Sequence, residues 1–200
     1  MTKYLGLCSS IALLLICLCA VPSFAEIPEG LIYQPGKLKP VDSTLKVAVG
    51  ENAPDFYLPS ITGKKVQLSS FRDKKNVVLS FVPAAFTPVC SDQWPGYNIA
   101  KDLFEQNDAI LIGITADNTP CQFAWTHQMN KKGVWFPVLS DFWPHGRVAK
   151  LYGILRTDGV TERAIFIIDK KGVIRYIDIH DINTHPELGK IIRTLKEINK

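Results

Sequence analysis

The chain has 200 residues, with 23 Lys and Arg against 19 Asp and Glu, and a formal net charge of +4. That balance is too mild, and its basic residues too scattered, to mark a nucleic-acid-binding surface. Five cysteines among 200 residues are also too few for a disulfide-stapled scaffold, and there is no internal repeat or low-complexity tract.

The first 25 residues read as a targeting segment and not as part of a fold. Lys3 gives a positive start, Ile11 to Leu18 form a short apolar run, and Ser23-Phe24-Ala25 ends in the small-x-small pattern of a cleavage site. The run falls short of the roughly 20 apolar residues of a membrane span, although an uncleaved anchor is the competing reading. Cys8, Cys17 and Cys19 follow Leu7, Ile16 and Leu18, so none has the small preceding residue that lipid attachment wants. The mature chain is expected to begin at Glu26, outside the cytoplasm and most simply in a periplasm. It then holds about 175 residues, enough for one domain with a sizeable core. Two cysteines remain, Cys90 and Cys121.

From Glu26 to about residue 45, Pro28, Pro35 and Pro40 with Gly30 and Gly36 interrupt both helix and ladder, so this stretch is predicted as an extended arm or spacer. The domain is predicted to run from 46 to 200. It opens with two short strands around Thr62-Gly63-Lys64-Lys65, their Phe56, Leu58, Val66 and Leu68 turned inward. Asn76 to Val82 is a continuous apolar run of strand length, as in a strand buried on both faces, and Pro83 stops it. Cys90 to about Gln106 carries Trp94, Tyr97, Ala100, Leu103 and Phe104 at helical spacing, with Pro95-Gly96 disturbing its first turns.

A strand at 109–115, a helix at 121–131 and a strand near 136–139 follow, then a helix at 146–152. Two strands at 164–169 and 173–179 are joined by the hairpin turn Asp169-Lys170-Lys171-Gly172, and a last helix runs on from Pro186. Alternating units with an appended hairpin give an α/β thioredoxin-like fold, a single domain with a central mixed sheet and helices on both faces.

Cys90 lies where the strand-loop-helix pattern places a helix N-terminus. Peroxide reduction needs a thiolate, and an unperturbed thiol with a pKa of about 8.5 is mostly protonated at neutral pH. Free N–H groups and the positive end of the helix dipole favour negative charge on sulfur. Pro83 ends the strand and shapes the pocket floor, while the Thr87 hydroxyl, three residues ahead of the sulfur, can bond both sulfur and a peroxide oxygen.

Pro83, Thr87 and Cys90 fill the fixed positions of Pro-x-x-x-Thr-x-x-Cys, and in this the chain resembles the peroxiredoxins. The resemblance runs from Gly50-Glu51-Asn52-Ala53-Pro54-Asp55-Phe56 to the last hairpin. Leu139-Ser140-Asp141-Phe142-Trp143-Pro144-His145-Gly146, with Val148-Ala149 and Tyr152-Gly153, is most similar to the AhpE-type branch. It implies a thiol peroxidase acting on hydrogen peroxide or organic hydroperoxides through a Cys90 sulfenic acid, with no metal, haem or flavin. It also implies a thioredoxin-like or low-molecular-weight thiol reductant, a homodimer, and Arg163 as the arginine beside the sulfur. The competing role for Arg163 is to cap its strand by pairing with Glu162 or Asp169.

Cys121, in Asp117-Asn118-Thr119-Pro120-Cys121, is either a resolving cysteine or a buried, unreactive one. Bridging it to Cys90 would require the two Cα atoms to approach within roughly 7 Å. His127, His145, His180 and His185 have no metal-ligand spacing. Trp94, Trp125, Trp135 and Trp143 read as core and pocket wall, with Trp94 and Phe86 limiting access of bulky peroxides. Rival readings are a thiol-disulfide oxidoreductase, which would want a Cys-x-x-Cys where Cys90 is followed by Gln93, and a redox-sensing binding domain.

Overall fold

The computed structural model describes residues 29–200, so the predicted signal segment and its cleavage point lie outside the described residues. Two short strands come first, β1 (Tyr57–Pro59) and β2 (Lys65–Gln67), followed by β3 (Asn76–Phe81), α1 (Pro88–Ile99), α2 (Lys101–Glu105) and β4 (Ala109–Thr115). Then come α3 (Thr119–Met129), β5 (Val138–Ser140), α4 (Arg147–Tyr152), β6 (Arg163–Ile168), β7 (Ile174–His180) and α5 (Leu188–Ile198). No helix among the described residues is long and apolar enough to cross a membrane.

The main sheet has the order β5-β4-β3-β6-β7, parallel between β3, β4 and β5 and antiparallel from β3 to β6 to β7. All six residues of β3 and of β6 are buried, which is why both read as mainly apolar runs, with Asn76, Ser80 and Arg163 as the polar exceptions. Side chains alternate between two cores. Val78, Val82, Leu111, Ile165 and Ile167 join one, and Val77, Leu79, Phe81, Ile114 and Phe166 the other. The first core takes Trp94 and Tyr97 from α1, Phe104 from α2, Trp125 from α3 and Leu195 from α5. The second takes Val148 and Tyr152 from α4, with Phe56 and Leu58 from the small hairpin. Each such side chain contributes about 1.5–3 kcal/mol on burial, so the sheet is held from both faces.

Two sequence expectations are corrected here. The helix predicted from Cys90 to Gln106 is two helices: it starts at Pro88, keeps Pro95 inside, and breaks at Ala100, whose φ/ψ is −82/12. Pro88 is at home in the first turn, where its missing N–H costs no bond. Trp143 is no core residue, because it is 80% exposed in the loop before α4.

The stretch predicted as an arm or spacer is fastened to the domain along its length. The Tyr33 amide donates to the Phe86 carbonyl at 2.8 Å, and the Ile182 amide to that of Pro40 at 3.1 Å. Leu38 and Asn183 exchange two bonds of 3.0 Å each. The Asp42 amide donates to Glu162 Oε1 at 2.6 Å, and the Asp42 carboxylate takes the Thr157 hydroxyl.

Candidate active site

The site forms where the C-terminal end of β3 meets the N-terminus of α1. Thr87 is the N-cap, extended at φ/ψ −110/153, which places Cys90 in the first turn among amides that have no intrahelical partner. Cys90 is fully buried and unbonded to another cysteine. Arg163 is the first residue of β6. It shares the strand face of Ile165 and Ile167, so alternation along β6 aims its side chain at α1.

The guanidinium Nη2 donates to Cys90 Sγ at 3.5 Å, and Nη1 to Gln93 Oε1 at 2.6 Å. Nε and Nη2 also donate to the Ile182 carbonyl, at 3.2 and 3.0 Å. Gln93 Nε2 continues the chain to Ser80 Oγ (3.3 Å) and to the Tyr97 hydroxyl (3.1 Å). Burial holds that Tyr97 hydroxyl well above the usual phenol range, so it stays neutral and can accept. A buried guanidinium with each of its edges bonded is fixed in one geometry, with its positive charge held against the sulfur.

Arg163 does not cap its strand by pairing with a neighbouring carboxylate. Glu162 binds Arg156 at 2.8 Å, and Asp169 binds Arg175 at 2.7 Å. Thr87 departs from expectation in one respect: its hydroxyl donates to the Ala84 carbonyl at 2.9 Å. The proton is therefore committed to the loop, leaving the oxygen lone pairs as acceptors. Phe86, immediately before it, holds a left-handed φ of 55°, an outlier for a bulky side chain that costs about 1–3 kcal/mol.

A cavity of about 540 Å³ opens over this loop, lined by Pro83, Thr87, Val89 and Arg163 of the site and by Tyr33, Gln34, Pro35, Gly36 and Leu38 of the arm. Cys90 itself does not line the cavity; Arg163, which does, contacts its sulfur. Trp94 and Phe86 do not line this cavity, contrary to the sequence reading of them as access limiters. Trp94 is fully buried, donates to Ser80 Oγ at 3.3 Å and stacks on Trp125 with ring centroids 4.7 Å apart. A Cβ on Gly113 would come within 2.6 Å of the Trp94 ring, so only glycine fits beneath it.

Cys121 stands in the first turn of α3, where its amide donates to the Asn118 side chain at 3.0 Å, and packs against the core cluster that contains Cys90. Burial pushes its thiol up, and the Asp117 carboxylate pushes it further. Asp117 also receives the Ala85 amide at 2.8 Å, tying the β4–α3 loop to the cysteine loop. No His, Cys, Asp or Glu grouping among the described residues could hold a metal ion. Sequence reasoning missed the roles of Gln93, Ser80 and the arm. A glutamine three residues after Cys90 and a serine inside an apolar strand were the available signals for the first two.

A thioredoxin-like sheet presenting a thiol at a helix N-terminus, with a buried arginine against it, defines a thiol-based redox protein. The chain matches the AhpC/TSA family over residues 49–177 and belongs to it, on the AhpE-like side; it is a thiol-dependent peroxidase, a peroxiredoxin. It is 36% identical over 132 residues to alkyl hydroperoxide reductase E of Mycobacterium tuberculosis, covering 66% of this chain and 84% of that protein. It is 33% identical over 163 residues to peroxiredoxin-1 of Gallus gallus, covering 77% of this chain and 80% of the relative. Among solved structures, the reduced 2-Cys peroxiredoxin of Plasmodium vivax superposes with a TM-score of 0.71 at 26% identity, over 77% of this chain and 83% of that one.

Proposed function

We propose that Cys90 is the peroxidatic cysteine, that Arg163 and the first-turn amides of α1 stabilise the charge that moves along the O–O bond, and that the free lone pairs of the Thr87 hydroxyl accept the hydroperoxide O–H and orient it. The observation that carries this is the Arg163 Nη2 to Cys90 Sγ contact of 3.5 Å at the N-terminus of α1. The thiolate attacks the terminal oxygen of a hydroperoxide. A sulfur–oxygen bond forms, the O–O bond breaks, and its electron pair leaves on the distal oxygen, which takes a proton to become water or an alcohol. Cys90 is left as sulfenic acid. Donors already fixed around the breaking bond cost no reorganisation during the step. Pro83, buried at the end of β3, keeps the loop backbone out of the ladder and forms the inner wall of the cavity. The cycle requires no metal, haem or flavin.

Two thiols must then return the sulfenic acid to the thiol: the first forms a mixed disulfide with Cys90 and releases water, and the second displaces Cys90 and leaves as the disulfide of the pair. We assign this to an outside thiol, thioredoxin-like or of low molecular weight, because burial and Asp117 keep Cys121 protonated and so a weak nucleophile. Hydrogen peroxide turnover by the wild type, Cys90→Ser and Cys121→Ser tests both assignments, together with dimedone trapping and a thiol count after one equivalent of peroxide. Loss of activity with Cys90→Ser alone, one thiol consumed and dimedone adduct at Cys90 are expected. Two thiols lost per chain without crosslinking would make Cys121 the resolving partner.

The Lys3 start, apolar run and Ser23-Phe24-Ala25 support export to a periplasm with mature residues from Glu26. The mass of the protein expressed in a Gram-negative host, and its cell fraction, test this. A homodimer is the assembly we propose for it, supported by Phe123, Phe142 and Trp143, which are 48%, 48% and 80% exposed. Sedimentation of the mature chain reads the outcome.

A further inference from the structure

The arm is built into the site. The match to the AhpC/TSA family begins at residue 49, yet Tyr33, Pro35 and Leu38 line the same cavity as Thr87 and Arg163. Hydrogen peroxide occupies a small fraction of about 540 Å³. The lining is mostly apolar and includes Val160 and Ile182 beside the arm residues. Such a chamber suits a hydroperoxide whose reactive end meets Thr87 and Arg163, the latter in contact with the Cys90 sulfur, while an apolar organic group lies against the arm.

We propose that the segment Tyr33–Leu38 is a specificity wall of the peroxide site, selecting organic hydroperoxides over hydrogen peroxide, and that Asn183 is the residue that fixes it. This rests on the peroxidase reading of Cys90. Three features of the arm's attachment support it. The Tyr33 amide binds the carbonyl of Phe86, the left-handed residue next to Thr87. Asn183 clamps Leu38 by both its amide and its carbonyl. Ile182, whose amide holds Pro40, gives its carbonyl to Arg163. The wall is thus tied to Ile182, the same residue that orients the guanidinium, and the arm supplies Tyr33, Gln34, Pro35, Gly36 and Leu38 of the lining.

The test compares kcat/KM for cumene hydroperoxide with that for hydrogen peroxide in the full mature chain, for the wild type, Leu38→Ser, Tyr33→Ser and Asn183→Ala. Tyr33 is 70% exposed, so its variant should fold normally. A single apolar pocket contact is worth about tenfold or more in discrimination. The ratio of cumene hydroperoxide to hydrogen peroxide should fall by about tenfold in Leu38→Ser and Asn183→Ala, and less in Tyr33→Ser. An unchanged ratio in active variants, or an equal loss for both peroxides, overturns the wall while leaving the peroxidase intact. Absence of turnover of either peroxide by the wild type sinks the peroxidase reading and the wall with it.

Discussion

Arg163 is held to Gln93 by a 2.6 Å bond from the same guanidinium that contacts Cys90 at 3.5 Å, so the helix that carries the thiol also fixes the cation that serves it. Because Gln93 is one turn beyond Cys90, the two contacts move together with α1. Replacing Arg163 with Met should lower the second-order rate with hydrogen peroxide by about 10²–10³, the loss typical of one charge-stabilising donor. Gln93→Leu keeps the guanidinium but frees one edge of it. A smaller fall, about tenfold, is expected by stopped-flow tryptophan fluorescence.

Arg156 and Glu162 form a buried pair, 2% and 0% exposed, and Glu162 also receives the Asp42 amide. Arg156→Leu would leave a carboxylate buried without its counter-charge, at a cost of about 3–5 kcal/mol. Urea unfolding midpoints of wild type and variant measure it. A loss below about 1 kcal/mol would contradict the burial argument.

Acid should destabilise the fold through a few named carboxylates. Desolvation raises Asp55, but the Gln67 and Ser69 side chains and the Ser69 and Phe56 amides outweigh it and hold its carboxyl below the usual range. Lys170 and Lys75 hold Asp108 down, and Lys39 and Thr157 hold Asp42 down. Their folded values lie below the unfolded ones, so their contribution is full above about pH 4 and is lost as pH falls through the folded values. Asp141, pushed up by burial despite two helix amides, works in the opposite sense, losing stability as pH rises through its titration. Urea midpoints at pH 7, 4 and 3 should fall in that order, and Asp55→Asn should flatten the slope.

Cys121 should react slowly with iodoacetamide at pH 7, since the thiolate is the reactive form and both burial and Asp117 oppose it. Labelling should quicken as pH rises. Asp117→Asn removes the nearby negative charge and should shift that rise to lower pH, read by peptide mass spectrometry.

Much of the fold was legible because buried strands announce themselves. Val77 to Leu79 and Ala164 to Ile168 are apolar runs, and the Asp169-Lys170-Lys171-Gly172 turn between β6 and β7 has the Gly172 φ of 85° that such a turn requires. The break at Ala100 was not legible. Pro95 looks like the disruptive residue, yet its place in the helix is tolerated and the chain turns five residues later, where packing of Phe104 against Trp135 and Tyr97 decides the direction. At the site, Cys90, Thr87 and Pro83 stand within one short segment, and spacing exposes them. Gln93, Ser80 and the arm are joined only by tertiary contacts; a glutamine on a helix and a proline-rich lead-in carry no periodic signal. Trp143 misled for the reverse reason, since an aromatic side chain in a loop gives no sign of which way it faces.

The antiparallel register of β3 and β6 pairs Phe81 with Ala164 and Val77 with Ile168. Side chains in a strand change sides at every residue, so a slip of one position would exchange Arg163 for Ala164 on the face toward α1. The apolar cores would still find isoleucines on both sides, and the sheet could close with modest loss. Cys90 would then face a methyl group in place of a cation. Chemistry here is sensitive to a sheet alignment that hydrophobicity alone distinguishes poorly, and the Thr161 hydroxyl bond to the Val82 carbonyl, just beyond the paired residues, is one of the pins that holds it.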